Sequence, residues 1–358
     1  MKQEWFVREY RESDKQGIFD LRNAVYGEPF DEREWEWKFE KGPFKPAQIL
    51  VAESDNAIVG IRPTILLPVK SGKEVSIAGL NVDVMTHPEF RGRGIFSTLV
   101  QESFKLLNEQ GINFAFTFPN ENSYPGYVRK LQWLHVCSLL LLAKPLNINN
   151  IVKKYIKNPS LQKPTALLMR SINSTLLSER LSSANGLQIN RIYSFDDHFD
   201  ELWRKASSQF NLVVVRDKKY LNWRYIDRPG QEYTIFSAQR GKDLVGYIIL
   251  KSNVEMFDLM LGLIIDMLTS EDNHVADLLI SQAIEYFREQ KVDAIGCVML
   301  KHVPYYKALK KAGFISIPKL LSHKEFYFMV CLNSTEILSE LVKNPANWFL
   351  TWGDYDIT

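Results

Sequence analysis

The chain has little cysteine, no surplus of either charge and no long apolar run, and each shortage removes a class of protein. Its three cysteines, Cys137, Cys297 and Cys331, are widely spaced, form no CxxC pair and have no neighbouring histidine. That excludes a disulfide framework, and buried free thiols are expected. The six histidines show no ligand spacing, so no metal is expected. Lys and Arg number 44 against 42 Asp and Glu, a net charge of +2, which is not the basic excess of a chain that grips nucleic acid. No stretch approaches the roughly 18 uncharged apolar residues of a membrane span. The start, Met1-Lys2-Gln3-Glu4-Trp5-Phe6, mixes charge with aromatics and presents no apolar leader. A soluble cytoplasmic protein with no nucleic-acid partner and no membrane span is the expectation. Neither GxxxxGK[ST] nor GxGxxG occurs, which removes the P-loop and the dinucleotide fold.

What is present is a repeat. At 358 residues and 46% hydrophobic content the length suggests two domains, and the sequence aligns with itself at an offset of 186. "DEREWEWKFEKGPF" from Asp31 lies over "DKKYLNWRYIDRPG" from Asp217, pairing Trp37 with Trp223 and Lys38 with Arg224. The register continues without a gap to pair Gly60 with Gly246. Further on the offset falls to 180, where "STLVQESFKLLNEQGINFAF" covers "DLLISQAIEYFREQKVDAIG", and then to 181 for "RKLQW" and "KKAGF". Each copy reads as an opening strand with polar helices, then paired strands around a turn (Ser54-Asp55-Asn56; Arg240-Gly241-Lys242). An apolar strand (Val82 to Met85; Leu263 to Met267) and an amphipathic helix (Ile95 to Gln110; Val275 to Gln290) follow. A strand and a second helix ending at Trp133 or Phe314 close each copy. The fold class is therefore α+β, two tandem units, each a mixed and mostly antiparallel sheet flanked by helices. The expected division is 1–145 for the first unit, 146–190 for a partly helical connector holding Pro159, Pro164 and "SSANG", and 191–358 for the second.

The most distinctive stretch is "HPEFRGRGIFSTLV", His87 to Val100, where Arg91, Gly92, Arg93 and Gly94 follow a strand and open a helix. Main-chain N–H groups at a helix start are unpaired donors at the positive end of the helix dipole, and such a loop binds anions. Glycines let the chain approach a phosphate closely, and the arginines add charge. At offset 180 these four residues fall on Glu271, Asp272, Asn273 and His274, so the second copy keeps the helix and replaces the anion-binding residues. A functional loop in the first unit and a non-binding second unit follow from that contrast.

"THPEFRGRGIF" resembles motif A of the GNAT superfamily of acyl-CoA-dependent N-acyltransferases, V-x-P-x-x-[RQ]-x-x-G-x-[GA], with Thr86 at the valine, Pro88 at the proline, Arg91 at [RQ], Gly94 at the glycine, and Phe96 departing at the last position. The resemblance implies that Arg91, Gly92, Arg93, Gly94, Ile95 and Phe96 hold the pyrophosphate of acetyl-CoA and that the strand Val84, Met85, Thr86 pairs with its pantetheine arm. It also places Asn120 and Asn122 on the pantetheine. "GYVRKLQW" resembles the family's Y-x-x-x-G-[FY], whose tyrosine protonates the departing thiolate; Val128 and Gln132 occupy the tyrosine and glycine positions, leaving Tyr127 and Tyr124 as candidates. The wording also resembles acetyltransferases of the enhanced-intracellular-survival type, which use a terminal carboxylate in the site; this chain ends "WFLTWGDYDIT" at Thr358.

An amine attacks a thioester only when neutral, so a base or water relay must take its proton. Asp83 and Glu121 are the candidate bases. With no cysteine near the loop, direct attack in a ternary complex is expected, on a primary amine of a small molecule: an amino sugar, an aminoglycoside-like amine or an amino acid. Two other readings stay open, an aminoacyl transferase of the Fem type and a non-catalytic CoA-binding scaffold. The oligomeric state is not legible.

Overall fold

The helix starts are set by the same residue in both copies. Asp31 accepts from Arg33 N (2.9 Å) and begins α2 (Glu32–Trp35) after α1 (Lys15–Tyr26), while Asp217 accepts from Tyr220 N (2.8 Å) and begins a helix at Lys218–Tyr225. Aspartate favours this position because its carboxylate satisfies donors that the first turn leaves unpaired. Six residues beyond each cap stands a tryptophan, and the two tryptophans meet: Trp37 and Trp223 stack with ring centroids 5.0 Å apart. Each indole N–H donates to the other's carbonyl, Trp37 Nε1 to Trp223 O at 2.6 Å and Trp223 Nε1 to Trp37 O at 3.0 Å. The contact is reciprocal, each residue giving and receiving the same bond.

The computed structural model describes residues 5–131, 133–175, 186–270, 273–318, 325–332 and 336–355. The first unit runs β1 (Phe6–Glu9), β2 (Gln48–Ser54), β3 (Ala57–Ser71), β4 (Glu74–Asn81), β5 (Met85–Thr86), α3 (Ile95–Glu109), β6 (Phe114–Thr117), α4 (Tyr124–Leu131) and β7 (Leu134–Pro145). A connector of α5 (Ile148–Tyr155) and α6 (Pro159–Thr175) leads on to β8 (Leu187–Ile192), α7 (His198–Ala206), β9 (Leu212–Val214) and α8 (Lys218–Tyr225). Then come β10 (Thr234–Arg240), β11 (Asp243–Met256), β12 (Leu259–Thr269), α9 (Asn273–Glu289), β13 (Ala294–Met299), α10 (Pro304–Lys311), β14 (Ile315–Ser316), β15 (Phe326–Leu332) and α11 (Glu336–Lys343). The expected turns carry left-handed residues, Asp55 and Asn56 in the first copy and Gly241 in the second.

Two mixed sheets join into one, in the order β1-β2-β3-β4-β6-β15-β7-β13-β12-β11-β10-β8. The joint is an exchange of final strands. β15, late in the chain, pairs with β6 of the first unit (Cys331 opposite Ala115), and β7 pairs with β13 of the second (Cys297 opposite Leu142). The sheet thus continues from β7, which ends at Pro145, into β13.

The long helix crosses the sheet at the same glycine in both copies. A Cβ on Gly60 would lie 2.7 Å from Ile95 of α3, and one on Gly246 would lie 2.9 Å from Val275 of α9. The copies differ at the strand before that helix. β12 is continuous to Thr269, whereas the matching stretch in the first unit stops at Asn81 and resumes at Met85, with Asp83 at φ 44°. The apolar strand expected from Val82 to Met85 is therefore broken at Val82, Asp83 and Val84, and the break opens a gap beside β6.

Removing either indole N–H leaves a buried carbonyl unpaired at the tryptophan contact. Trp37→Phe and Trp223→Phe should each cost about 1–3 kcal/mol by urea unfolding. The double variant should cost clearly less than the sum of the two, because both donors serve one contact; additive losses would show that the pair does not act as a unit.

Candidate functional site

The RGRG stretch forms a turn in which Gly92 (φ 78°) and Gly94 (φ 88°) are left-handed, a conformation that side chains resist. Gly94 caps α3, and the Ser97 hydroxyl folds back to its carbonyl at 2.8 Å, leaving the first N–H groups of the helix pointing outward. They open on a recess of about 90 Å³ lined by Thr86, Arg91, Gly92, Gly94, Phe96 and Lys130, with Ile95 also at its wall. Lys130, on the last turn of α4, was not singled out by sequence, where it is one lysine among many; only the packing of α4 against α3 brings it to the loop. The two arginines part company. Arg91 lines the recess, but Arg93 turns back, its Nη2 donating to Glu89 O (2.9 Å) and its guanidinium lying 4.7 Å from the Phe90 ring centre. Phe96, the departure from the motif, packs edge-on to Tyr127 and against Gly126, where a Cβ would come within 2.8 Å of its ring. The bulk added at 96 is matched by the side chain missing at 126.

The recess lies next to the gap opened by the broken strand, Thr86 lining the one and Val84 the other. A cleft of about 230 Å³ lies between the end of β4 and β6, walled by Val82, Asp83, Val84, Thr117, Asn120 and Tyr127, and closed by Tyr355 of the C-terminal segment. Val84 and Asp83 thus face this cleft, whereas Met85 is buried and pairs opposite Ile61 on β3, and Thr86 opposite Gly60. One carboxylate oxygen of Asp83 is engaged by the buried Lys38 ammonium at 2.6 Å, so Asp83 holds the strand break in place and its candidacy as a base weakens.

Of the two candidate tyrosines, Tyr127 is in the cleft and fully buried; Tyr124 is outside it, stacked on Tyr327 at 4.0 Å with its hydroxyl 2.9 Å from His135 Nδ1. Val128 is exposed, and Gln132 lies outside the described residues. Burial raises the Tyr127 phenol above its ordinary value, opposed by the Arg62 guanidinium and by bonds to Thr117 and Arg62. Arg62, on β3, has no exposed surface; Nη1 reaches Thr64 Oγ1 only at 3.5 Å, and Nε and Nη2 have no hydrogen-bond partner. Burial pulls it down to about 10, so it is still a cation at neutral pH. A positive charge thus stands directly behind the phenol.

The asparagines serve different ends. Asn120 Oδ1 accepts from Asn122 N (3.1 Å) and Ser123 N (3.0 Å), fixing the turn into α4, and its side chain lines the cleft. Asn122 lines a separate cavity of about 380 Å³ that adjoins the cleft through Phe118, Pro119, Asn120 and Tyr355. The far wall of that cavity is the second unit.

In the second unit the corresponding ground is filled. Asp266 lies at the centre of a fully buried cluster: Arg216 Nε binds it at 3.0 Å, and Thr351 Oγ1 donates to it at 3.0 Å. Arg216 Nη2 also reaches Asp354 at 2.8 Å. Arg224, the counterpart of Lys38, donates to the carbonyls of Gly353 and Tyr355. The C-terminal segment is thereby clamped where the first unit keeps its cleft. Of the residues opposite RGRG, Glu271 and Asp272 lie outside the described residues, as does Thr358. Among the described residues no helix is long and apolar enough to cross a membrane, and no cluster of His, Cys, Asp and Glu suits a metal.

Residues 6–136, which hold the loop, the strand break and Tyr127, match the family model of the acetyltransferase (GNAT) domain. The match to a GNAT domain thus falls on the first unit. The complete fold is similar to that of a GCN5-related N-acetyltransferase from Anabaena variabilis (13% identity, TM-score 0.66, covering 92% of this chain and 73% of that one). It is likewise similar to a probable N-acyltransferase from Enterococcus faecalis (13%, 0.65, 92% and 73%). A third similar structure is the N-myristoyltransferase of Saccharomyces cerevisiae with bound myristoyl-CoA (13%, 0.58, 94% and 80%). A search of curated proteins finds no match. The likeness of fold thus extends over both units, while the domain match, the loop and the strand break belong to the first.

A buried cation whose partners are neutral hydroxyls, with two of its nitrogens unbonded, is a burden on the fold. Arg62→Met should therefore raise stability by about 1–3 kcal/mol in urea unfolding, and a loss of stability would mean that Arg62 is a structural contact and carries no strain.

Proposed function

We propose that the protein is an acyl-CoA-dependent N-acyltransferase that moves an acetyl group from acetyl-CoA to a primary amine of a small molecule in a ternary complex. The observation that carries this reading is the placement of the anion recess at Arg91, Gly92, Gly94 and Lys130 beside the cleft that holds Tyr127: Thr86 of the recess is two residues from Val84 of the cleft, and Phe96 of the recess packs on Tyr127. Arg91, Lys130 and the N–H groups at the start of α3 would hold the pyrophosphate, and the main chain of Val84–Thr86 the pantetheine. The donor supplies the thioester. The cleft volume of about 230 Å³, closed by Tyr355, favours a short acyl chain.

Within that frame the amine nitrogen forms the new C–N bond as the C–S bond breaks. Tyr127 donates its phenolic proton toward the departing sulfur, with Arg62 behind it stabilising the phenolate left after transfer. Glu121, at the mouth of β6, or a water takes the proton that the amine loses. Burial holds the Cys137 thiol up at about 12, which favours direct attack over an acyl-enzyme.

Acetyl-CoA titrated into the protein by calorimetry should bind at one site per chain. The variant Arg91→Glu, Gly92→Asp, Arg93→Asn, Gly94→His, which writes the second copy's loop into the first, should lose it. Binding that survives in the variant, or none in the wild type, would overturn the assignment.

Tyr127→Phe should lower turnover about 100-fold, within the range of a general acid, with donor binding kept. Tyr124→Phe should leave both unchanged.

A further inference from the structure

The 380 Å³ cavity between the units has a charge arrangement that the transfer reaction does not by itself require. One wall comes from the first unit's Asn120–Asn122 turn, the opposite wall from β11 and β12, and the floor from Phe326, Trp352 and Tyr355. Val254, Met256, Leu263, Phe326 and Trp352 make most of it apolar. Two carboxylates sit on one side: Glu121 and Glu325 both act on Tyr327, which lies beside Tyr124. A single ammonium, Lys251, sits on the other.

Lys251 is half-buried, and among the described residues it has no hydrogen bond or ion pair, although both glutamates line the same cavity. The groups around it are Arg224, Arg228, Tyr355 and the two glutamates; the arginines press the same way as burial, and the ammonium is pulled down to about 8. Arg224 is turned to the carbonyls of Gly353 and Tyr355, and Arg228 to the Tyr233 hydroxyl at 3.3 Å and the Trp37 ring at 5.1 Å. One ammonium and two carboxylates, with apolar surface among them, match a ligand that bears both charges and a hydrophobic body. A polycation brings no carboxylate for Lys251.

We infer that this cavity takes the acceptor, and that the acceptor is an amino acid with a large apolar side chain, its carboxylate on Lys251, its amine toward Glu121 and Asn120 at the junction with the cleft, and its side chain against Phe326 and Trp352. The inference rests on the acyltransferase reading and names its substrate class. The volume lies within the range of small-molecule sites, about 300–1,000 Å³. On this reading the second unit has a direct part in substrate binding, because it supplies the wall that takes the carboxylate.

The test compares phenylalanine, phenylalaninamide and phenethylamine as acceptors of acetyl-CoA, with kanamycin as a polycation, for wild type, Lys251→Met and Lys251→Arg. Phenylalanine should have a kcat/KM at least about tenfold above phenethylamine, the worth of one charged hydrogen bond. Lys251→Met should erase that ratio by raising KM for phenylalanine alone, with donor binding unchanged. In the wild type the preference should fade above pH 8 as the ammonium loses its proton, and Lys251→Arg should carry it to higher pH. Calorimetry with N-acetylphenylalanine and N-acetylphenethylamine reads the same preference without turnover. Equal use of phenylalanine and phenethylamine, an equal effect of Lys251→Met on both, or acylation of kanamycin in preference to phenylalanine would overturn the inference. So would an enzyme that binds acetyl-CoA but neither acylates phenylalanine nor binds its product. Failure to bind acetyl-CoA would instead sink the reading beneath it.

Discussion

The reciprocal contact of Trp37 and Trp223 fixes how the two copies face each other. Two indole N–H groups and two carbonyls satisfy one another there, and the stacked rings exclude water from the bonds. Trp37 stands in the helical turn after α2 and Trp223 within α8, so Lys38 and Arg224, each the next residue along, both start from this contact. Lys38 and Arg224 then turn to opposite uses. Lys38 braces the strand break at Asp83, and Arg224 ties down the chain at Gly353 and Tyr355.

The two copies thus do different work. One copy has a broken strand, a glycine turn and an open cleft; the other has a continuous strand and a buried ionic cluster that fills the equivalent space. Tyr355, presented by the second copy's clamp, walls both the cleft and the larger cavity, so neither copy alone encloses the site. This division explains why a unit that lacks the anion loop is retained in full.

Much of this was legible in the sequence. The self-alignment gave two α+β units, the turns at Asp55 and Gly241, and both long helices to within two residues. The exchanged strands were not legible, because pairing Cys331 with Ala115 is a contact between distant segments with no local signal. The apolar run Val82 to Met85 reads as strand, and only Lys38, far off in the chain, shows why it breaks. At the loop, composition makes Arg91 and Arg93 equivalent, while packing on Phe90 separates them. Lys130 and Lys251 are ordinary lysines until the fold shows what each one faces.

The strand exchange also sets a schedule for synthesis. β6 ends at Thr117, but the neighbour that covers its edge begins only at Phe326. At about 5–20 residues per second a ribosome spends on the order of 10–40 s between those points. Throughout that interval the first sheet presents an open edge, the feature most prone to pairing with other chains. Loss of the chain from Phe326 onward would leave that edge of the first sheet uncovered.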